Sequence, residues 1–189
     1  MIQDFERFKK IIELFDQANS QDPNNKELIY AQQMSQWLQR LEPNASETLQ
    51  LAARCQHIRR WEIPRGRYPK TRAGYLQWRT TLYEFHAQKA GEILKEVGYD
   101  PQTIERVETL LRKKNIKTDP EMQLMEDVIC LVFLENYFAD FSRQHEEQKV
   151  IEIIRKTWNK MSPSGQQAAL RLEMPPEART LVEKALQRN

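Results

Sequence analysis

Residues 119–136, with the sequence DPEMQLMEDVICLVFLEN, contain the clearest structural signal in the chain. Asp119 followed by Pro120 is a helix cap with proline at the first helical position, a combination typical of helix starts. From Met122 onward, apolar side chains occupy nearly every side of the helix, as in a helix buried within a core. The segment therefore predicts a buried helix over 120–142.

The rest of the chain also follows a helical pattern. The cap-plus-proline combination recurs at Asp100-Pro101 and Ser162-Pro163, and Asn44-x-x-Glu47 is typical of a capping box. No segment alternates like a strand, whereas prolines and a glycine exclude a regular helix over 61–70. Further helices are predicted near residues 2–18, 26–41, 45–60, 72–96, 101–114, 146–161, 163–172 and 176–187. We therefore expect an all-α fold, with one compact multi-helix domain spanning residues 1–189.

The composition excludes several classes of protein. Of the 189 residues, 40% are apolar and four are Trp, so the chain has the apolar surface that a disordered chain lacks. Five glycines are too few for a Rossmann fold, a P-loop or a β-sandwich, whose turns require glycine. These numbers favour a soluble helical protein but indicate no activity.

The cysteines and the N-terminus bear on the cellular compartment. Cys55 and Cys130 are isolated in apolar segments, so we expect buried, reduced thiols and a cytoplasmic protein. The start of the chain, MIQDFERFKK, has charges throughout and lacks the apolar region of a signal peptide. The longest apolar run, residues 128–134, is too short to cross a bilayer, so no membrane partner is expected.

The middle of the chain is basic and rich in aromatic residues. Residues 54–79 contain eight basic side chains and one acid, whereas the rest of the chain has 21 basic and 26 acidic residues. Arginine suits bidentate contacts with phosphate, so the segment predicts a face that binds a phosphorylated small molecule or a nucleic acid. The alternative is that these arginines pair with acids on neighbouring helices and that the aromatic residues belong to the core.

Two histidines and two acids are expected to point inward. His57 and His86 share apolar stripes of their predicted helices, and Glu126 and Asp127 lie within the apolar segment quoted above. An ionised carboxylate in such surroundings is unfavourable unless it is paired, protonated or bound to metal. His57, His86 and Asp127 could therefore converge on a divalent transition metal such as zinc, manganese or iron. Alternatively, each histidine bonds a backbone carbonyl and the acid forms a salt bridge.

Four long stretches of this chain are familiar from a known family. They are LAARCQHIRRWEIPR (51–65), YPKTRAGYLQWRTTLYEFHA (68–87), LRKKNIKTDPEMQLMEDVICLVFLENYF (111–138) and IRKTWNKMSPSGQQAAL (154–170). On these residues the chain resembles the family catalogued as domain of unknown function 4202. The resemblance spans almost the whole sequence and implies a compact helical domain.

A fainter similarity connects the chain to the HD superfamily of metal-dependent phosphohydrolases. That superfamily places a His, a His-Asp doublet and a later Asp on separate helices, and AARCQH (52–57) resembles the helix that carries the doublet. Here Ile58 follows His57 and Ala87 follows His86, so the doublet lacks its Asp. Glu126 or Asp127 would have to substitute for it.

The leading hypothesis is a metal-dependent phosphohydrolase that acts on a phosphorylated small molecule or nucleotide. His57, His86 and Asp127 would hold the metal, and Glu126 would be a further ligand or the general base beside Asp127. Six basic side chains would bind the phosphate: Arg59, Arg60, Arg65, Arg79, Lys113 and Lys114. The base of a nucleotide would stack on Trp61 or Trp78.

Two other classes of function use the same residues differently. In the first, a non-enzymatic protein binds a nucleotide or RNA on the arginine-rich face, and the His and Asp residues form a structural polar core. In the second, the chain is a protein–protein adaptor. Because the sequence outside residues 54–79 is net negative, RNA binding is expected to be weak and salt-sensitive.

Overall fold

The computed structural model describes residues 2, 4–113 and 118–187 of the chain. These residues form ten α-helices and no strand, which confirms the all-α prediction. Two short 3₁₀ turns, Arg60–Glu62 and Arg65–Arg67, occupy the proline-rich segment from which a regular helix was excluded. The α-helices are α1 (Phe5–Ser20), α2 (Lys26–Leu41), α3 (Glu47–Cys55), α4 (Arg72–Glu96), α5 (Pro101–Leu111), α6 (Pro120–Asn136), α7 (Phe138–Arg143), α8 (Glu147–Trp158), α9 (Pro163–Leu170) and α10 (Pro176–Leu186).

The helices group into two compact units, Met1–Ile116 and Lys117–Asn189, here called unit 1 and unit 2. In unit 1, α4 packs against α5, α3 packs against α2 and α5, and α1 packs against α2, α3 and α4. In unit 2, α6 packs against α7 and α9, and α10 packs against α7 and α8. The single domain over 1–189 and its HD-like character stay predictions.

Most helix starts are set locally, as the sequence predicted. Asp100, Asp119 and Ser162 each accept a hydrogen bond from a backbone N–H in the first turn, and a proline follows each of them. The capping box at Asn44 is wrong by two residues. Ser46 caps α3 instead, because its hydroxyl accepts a hydrogen bond from the N–H of Leu49 at 3.1 Å.

The end of α3 also differs from the prediction, which extended this helix to residue 60. The helix ends at Cys55, and Arg59 adopts a left-handed conformation with a φ of 52°. Its N–H donates to the Oδ1 atom of buried Asn19, at the end of α1, over 3.1 Å. This contact helps hold a turn over residues 56–59, so His57 leaves the helical stripe on which the sequence placed it.

In unit 2 the predicted helix over 120–142 is interrupted. Tyr137 has non-helical backbone angles, so α6 ends at Asn136 and α7 starts at Phe138. The buried character of α6 is confirmed, since Met122, Val128 and Leu131 have no exposed surface.

The thiols of Cys55 and Cys130 are free and buried, as expected. Within residues 2, 4–113 and 118–187, no helix combines the length and apolar character needed to cross a membrane.

Candidate anion-binding site

Unit 1 brings together a group of polar and aromatic side chains from distant parts of the sequence. They come from α2, from the turn that follows α3, from α4 and from the end of α5. We call this group the His57 cluster, and its members are Glu27, Tyr30, His57, Arg60, Tyr75, Trp78, Arg79, Tyr83, His86 and Lys113.

His57 lies at the centre of the cluster, and 20% of its side chain is exposed. Its ring stacks on that of Tyr30, with centroids 4.0 Å apart and an interplanar angle of 16°. The Nε2 atom lies 3.1 Å from a guanidinium nitrogen of Arg60. Because a guanidinium only donates, Nε2 accepts this hydrogen bond, and the ring proton belongs on Nδ1. Nδ1 faces the Oε2 atom of Glu27 at 3.4 Å.

Burial shifts both partners of the contact between His57 and Glu27 toward their neutral forms. Burial, followed by the positive charges of Arg60 and other neighbours, holds the pKa of His57 well below its usual range. Burial raises the pKa of Glu27 to about 7, against the opposing effect of Arg60. The contact is therefore not a conventional salt bridge, and the cationic side chains of the cluster dominate its charge.

Two arginines supply most of that positive charge. The guanidinium carbon of Arg60 lies 4.7 Å from the ring centroid of Trp78. Arg79 donates to the hydroxyl of Tyr75 at 3.3 Å and to the hydroxyl of Tyr83. In the described part of the chain, no carboxylate oxygen lies within 4.0 Å of either guanidinium. Both arginines are thus oriented by aromatic rings and hydroxyls rather than by ion pairs.

Lys113 completes the positive side of the cluster. Its Nζ atom lies 5.8 Å from the ring centroid of Tyr83, whose ring is also 5.2 Å from the guanidinium carbon of Arg79. The ring of Tyr83 therefore lies close to two cations, an arrangement that favours an anion nearby.

His86 is buried beneath the cluster, with a ring centroid 5.9 Å from that of His57. Its Nδ1 atom lies 2.8 Å from the carbonyl oxygen of Ile58 and donates to it. Burial lowers the pKa of His86 to about 3, so the ring is neutral and Nε2 carries a lone pair. Among the described residues Nε2 has no hydrogen-bond partner, although it is buried.

The other predicted phosphate-binding residues have different positions. Arg59 pairs with Glu62, and Arg65 donates to the carbonyl oxygens of Tyr68 and Pro69 at 2.8 and 2.7 Å. Trp61 lies half-buried in the first 3₁₀ turn. Arg59 and Arg65 therefore stabilise the loop itself, and Lys114 lies outside the described residues.

Arg54, at the start of the basic segment, follows the alternative interpretation. It binds both carboxylate oxygens of Asp16, at 2.7 and 2.5 Å, and its side chain also donates to the hydroxyl of Ser35. Pairing with an acid on a neighbouring helix thus accounts for Arg54, whereas among the described residues no carboxylate forms an ion pair with Arg60 or Arg79.

Glu126 and Asp127 lie in unit 2, and other residues of unit 2 provide polar partners for both. The carboxylate of Asp127 accepts from the backbone N–H of Ser162 at 2.7 Å and from its hydroxyl at 2.5 Å. Oε1 of Glu126 lies 3.4 Å from Nζ of Lys160. A β-carbon added to Gly165 would lie only 2.6 Å from Cγ of Asp127, so the carboxylate is packed tightly against the start of α9.

These arrangements do not fit the metal site that the sequence suggested. A metal at Nε2 of His57 would compete with Arg60 for the same lone pair, and the oxygens of Asp127 already bind Ser162. Over the described ranges, no three His, Cys, Asp or Glu side chains are grouped in a way that could hold a metal ion. The positive charge around His57 favours an anion over a cation.

The backbone is strained at points that flank the cluster. Asn25, Arg59 and Lys113 are the three non-glycine residues with positive φ in the described part of the chain. Asn tolerates this conformation, but Arg and Lys do so at a cost on the order of 1 kcal/mol each. Strain of this kind concentrates at functional sites, and here it is found beside Arg60 and at Lys113 itself.

Sequence reasoning did not name four members of the cluster as site residues: Glu27, Tyr30, Tyr75 and Tyr83. Glu27 and Tyr30 lie on α2, and nothing in their local pattern distinguishes them from an ordinary helix face. Tyr83, by contrast, follows Arg79 by four residues on the same helix, a spacing that places the two side chains side by side. This spacing was a signal that could have been recognised.

Comparison with known proteins identifies one family. The family model described as "Domain of unknown function (DUF4202)" matches residues 9–182. Neither the curated proteins nor the solved structures yield a match.

Proposed function

The chain belongs to the DUF4202 family, and we propose that it is a binding protein for the phosphate group of a small phosphorylated molecule or nucleotide. The observation that carries the proposal is the pair Arg60 and Arg79, whose guanidinium groups are fixed in place yet lack a carboxylate among the described residues. Partly buried cations without an opposite charge are costly, and a bound anion would remove that cost.

The side chains around these arginines would fix the geometry of binding. Arg60 is held between the Nε2 atom of His57 and the ring of Trp78, and Arg79 is held by two tyrosine hydroxyls. Such contacts reduce the side-chain entropy that a free arginine would lose on binding. Guanidinium groups bind phosphate oxygens through short, charge-assisted hydrogen bonds, and Lys113 would add a third cation.

The neutral state of His57 and the raised pKa of Glu27 are consistent with this role. An ionised carboxylate inside the cluster would repel phosphate and neutralise Arg60. Because burial raises the pKa of Glu27 to about 7, a substantial fraction of its carboxyl groups is uncharged near neutral pH. The cluster therefore keeps a net positive charge under the conditions in which it would bind.

Isothermal titration calorimetry with inorganic phosphate and with AMP tests the proposal. Arg60→Gln and Arg79→Gln should each weaken binding about tenfold or more, because each removes a charge-assisted hydrogen bond worth roughly 1.5–3 kcal/mol. Arg143→Gln is the matched control, since Arg143 is 65% exposed and pairs with Asp140 in unit 2. If folded Arg60 and Arg79 variants bind as the wild type does, the cluster is not the phosphate site.

A metal-dependent phosphohydrolase remains the second candidate. The observation that favours it is the buried Nε2 atom of His86, which has no hydrogen-bond partner among the described residues and is a potential metal ligand. Only 2% of His86 is exposed. Elemental analysis of protein purified without a His tag, together with phosphate release from a panel of phosphoesters, tests it. About one metal ion per chain that is lost in His86→Ala, with phosphate release, would favour the enzyme over the binding protein.

A further inference from the structure

The loop before α4, which follows the part of the His57 cluster that contains Arg60, carries further exposed cations. Arg67, Lys70 and Arg72 are exposed, and no acidic residue occurs between Glu62 and Glu84 in the sequence. In the described ranges, no carboxylate forms an ion pair with any of these three cations. They form what we call the basic loop.

Contacts through Trp78 and Tyr75 tie the loop before α4, which carries these cations, to the His57 cluster. The ring centroid of Trp78 is 4.7 Å from the guanidinium carbon of Arg60 and 5.9 Å from that of Arg65. Its Nε1 donates to the carbonyl of Ile63 at 2.8 Å, which ties the loop to α4. Tyr75 lies beside Trp78, with centroids 6.0 Å apart, and accepts a hydrogen bond from Arg79.

The stability of the fold does not account for the residue types found at Arg72, Tyr75 and Leu76. Arg72 opens α4, where an acidic side chain would interact favourably with the helix dipole, and the first turn contains no acid. Tyr75 is 42% exposed and Leu76 is 54% exposed, so an aromatic and an aliphatic side chain face solvent next to the cations. Arg67 donates to the carbonyl oxygen of Glu62 at 3.0 Å, so it has a hydrogen bond but no ion pair in the described part of the chain. Exposed aromatic rings among cations without ion pairs are typical of surfaces that bind single-stranded nucleic acid.

We propose that the phosphate bound by the cluster is the terminal phosphate of a single-stranded nucleic acid. This inference rests on the proposed function and specifies its ligand. Arg60 and Arg79 bind the terminal phosphate, Tyr75 stacks on a nearby base, and the basic loop binds the phosphates that follow. A free mononucleotide has no further phosphates for the three loop cations.

The charge of the remaining chain limits how much of the strand is bound. Outside residues 54–79 the sequence has 21 basic and 26 acidic residues, so the excess of positive charge lies in this segment of the chain. A long strand or a duplex would extend over net negative surface, whereas the end of a single strand would not. The expected contact is therefore the terminal phosphate and a few that follow it.

The test uses the full chain and calorimetric titration with four probes. These are AMP and a six-nucleotide oligoadenylate with a 5′-phosphate, with a 3′-phosphate or with no terminal phosphate. The loop variant combines Arg67→Gln, Lys70→Gln and Arg72→Gln. Its matched control, Arg143→Gln with Lys156→Gln and Lys184→Gln, removes the same charge from exposed residues of unit 2.

We expect one of the two phosphorylated hexamers to bind about tenfold more tightly than AMP and than the unphosphorylated hexamer. The affinity of that hexamer should also fall more steeply with salt than that of AMP. In a plot of log affinity against log salt concentration, the additional slope should be roughly −2, since each of three further contacted phosphates contributes about −0.7. The loop variant should lose this extra affinity and slope, its affinity for AMP should fall far less, and the control variant should behave as the wild type.

The outcomes that overturn this inference are distinct from those that overturn the proposed function. If AMP binds but terminal phosphorylation does not strengthen hexamer binding, or if the loop variant binds the hexamers as the wild type does, the strand-end ligand is wrong and the phosphate site stands. If neither AMP nor any hexamer binds, both proposals fail.

Discussion

Asp127 in unit 2 and Arg60 in unit 1 are both charged side chains removed at least partly from solvent, but their surroundings differ. The carboxylate of Asp127 accepts two short hydrogen bonds from Ser162 and a third from Gln123. The guanidinium of Arg60 contacts a neutral imidazole and an indole ring, and in the described part of the chain no carboxylate lies within 4.0 Å of it.

This difference separates a structural polar group from a candidate binding group. A buried charge is costly unless hydrogen bonds or an opposite charge compensate for it. Unit 2 provides that compensation for Asp127, so removing the carboxylate of Asp127 should lower the stability of the fold. In the described part of unit 1, Arg60 and Arg79 have hydrogen bonds but no opposite charge, and the Nε2 atom of His86 has no hydrogen-bond partner. Changes there should therefore affect ligand binding more than folding.

The largest effect is expected for Asp127→Ala. The substitution leaves the N–H and hydroxyl of Ser162 without their acceptors and should lower the free energy of unfolding by about 3 kcal/mol, measured by urea denaturation. The control is Asp140→Ala, because the side chain of Asp140 is 77% exposed. If Asp127→Ala is as stable as Asp140→Ala, the structural role assigned to Asp127 is wrong.

Gly165→Ala should have the next largest effect, because the new methyl group would lie 2.6 Å from Cγ of Asp127. We expect a loss of roughly 1–3 kcal/mol in the free energy of unfolding, typical of overpacking. Gly66→Ala is a matched control, since a β-carbon at Gly66 meets nothing within 4 Å. Equal stability of the two variants would contradict the close packing of Asp127 on α9.

Glu27→Gln should change how stability depends on pH. Because burial raises the pKa of Glu27 to about 7, the folded state holds its proton more tightly than the unfolded state does. The contribution of Glu27 to the free energy of unfolding should therefore be full below pH 4.5 and fall as the pH rises toward 7, by at most about 1.4 kcal/mol per pH unit. Denaturation at several pH values should show this loss in the wild type but not in the variant. Parallel pH profiles would mean that folding does not raise the pKa of Glu27.

The smallest effect is expected for Tyr83→Phe. It removes one hydroxyl that orients Arg79 but keeps the ring, so phosphate affinity should fall a few-fold, by about 0.5–1.5 kcal/mol. Among the described residues the hydroxyl of Tyr68, in the loop before α4, makes no such contact, so Tyr68→Phe should bind phosphate as the wild type does. A Tyr83→Phe variant with unchanged phosphate affinity would show that Arg79 needs no support from this hydroxyl.

Local signals in the sequence were sufficient for most of the helices. The caps at Asp100, Asp119 and Ser162 depend on neighbouring residues, and each was predicted from its cap-plus-proline pair. The buried nature of α6 followed from its apolar residues, which exclude any solvent-facing stripe. The segment near Arg60 was recognised as unusual from its charge alone.

What the sequence could not provide was the partner of each polar side chain. Asp127 meets Ser162, 35 residues away, and the turn that positions His57 depends on Asn19, 40 residues from Arg59. Caps and helical stripes were determined by the sequence because their interactions extend over three or four neighbouring residues. Which charged groups are compensated and which stay available to a ligand was decided by tertiary structure, because their partners come from distant helices.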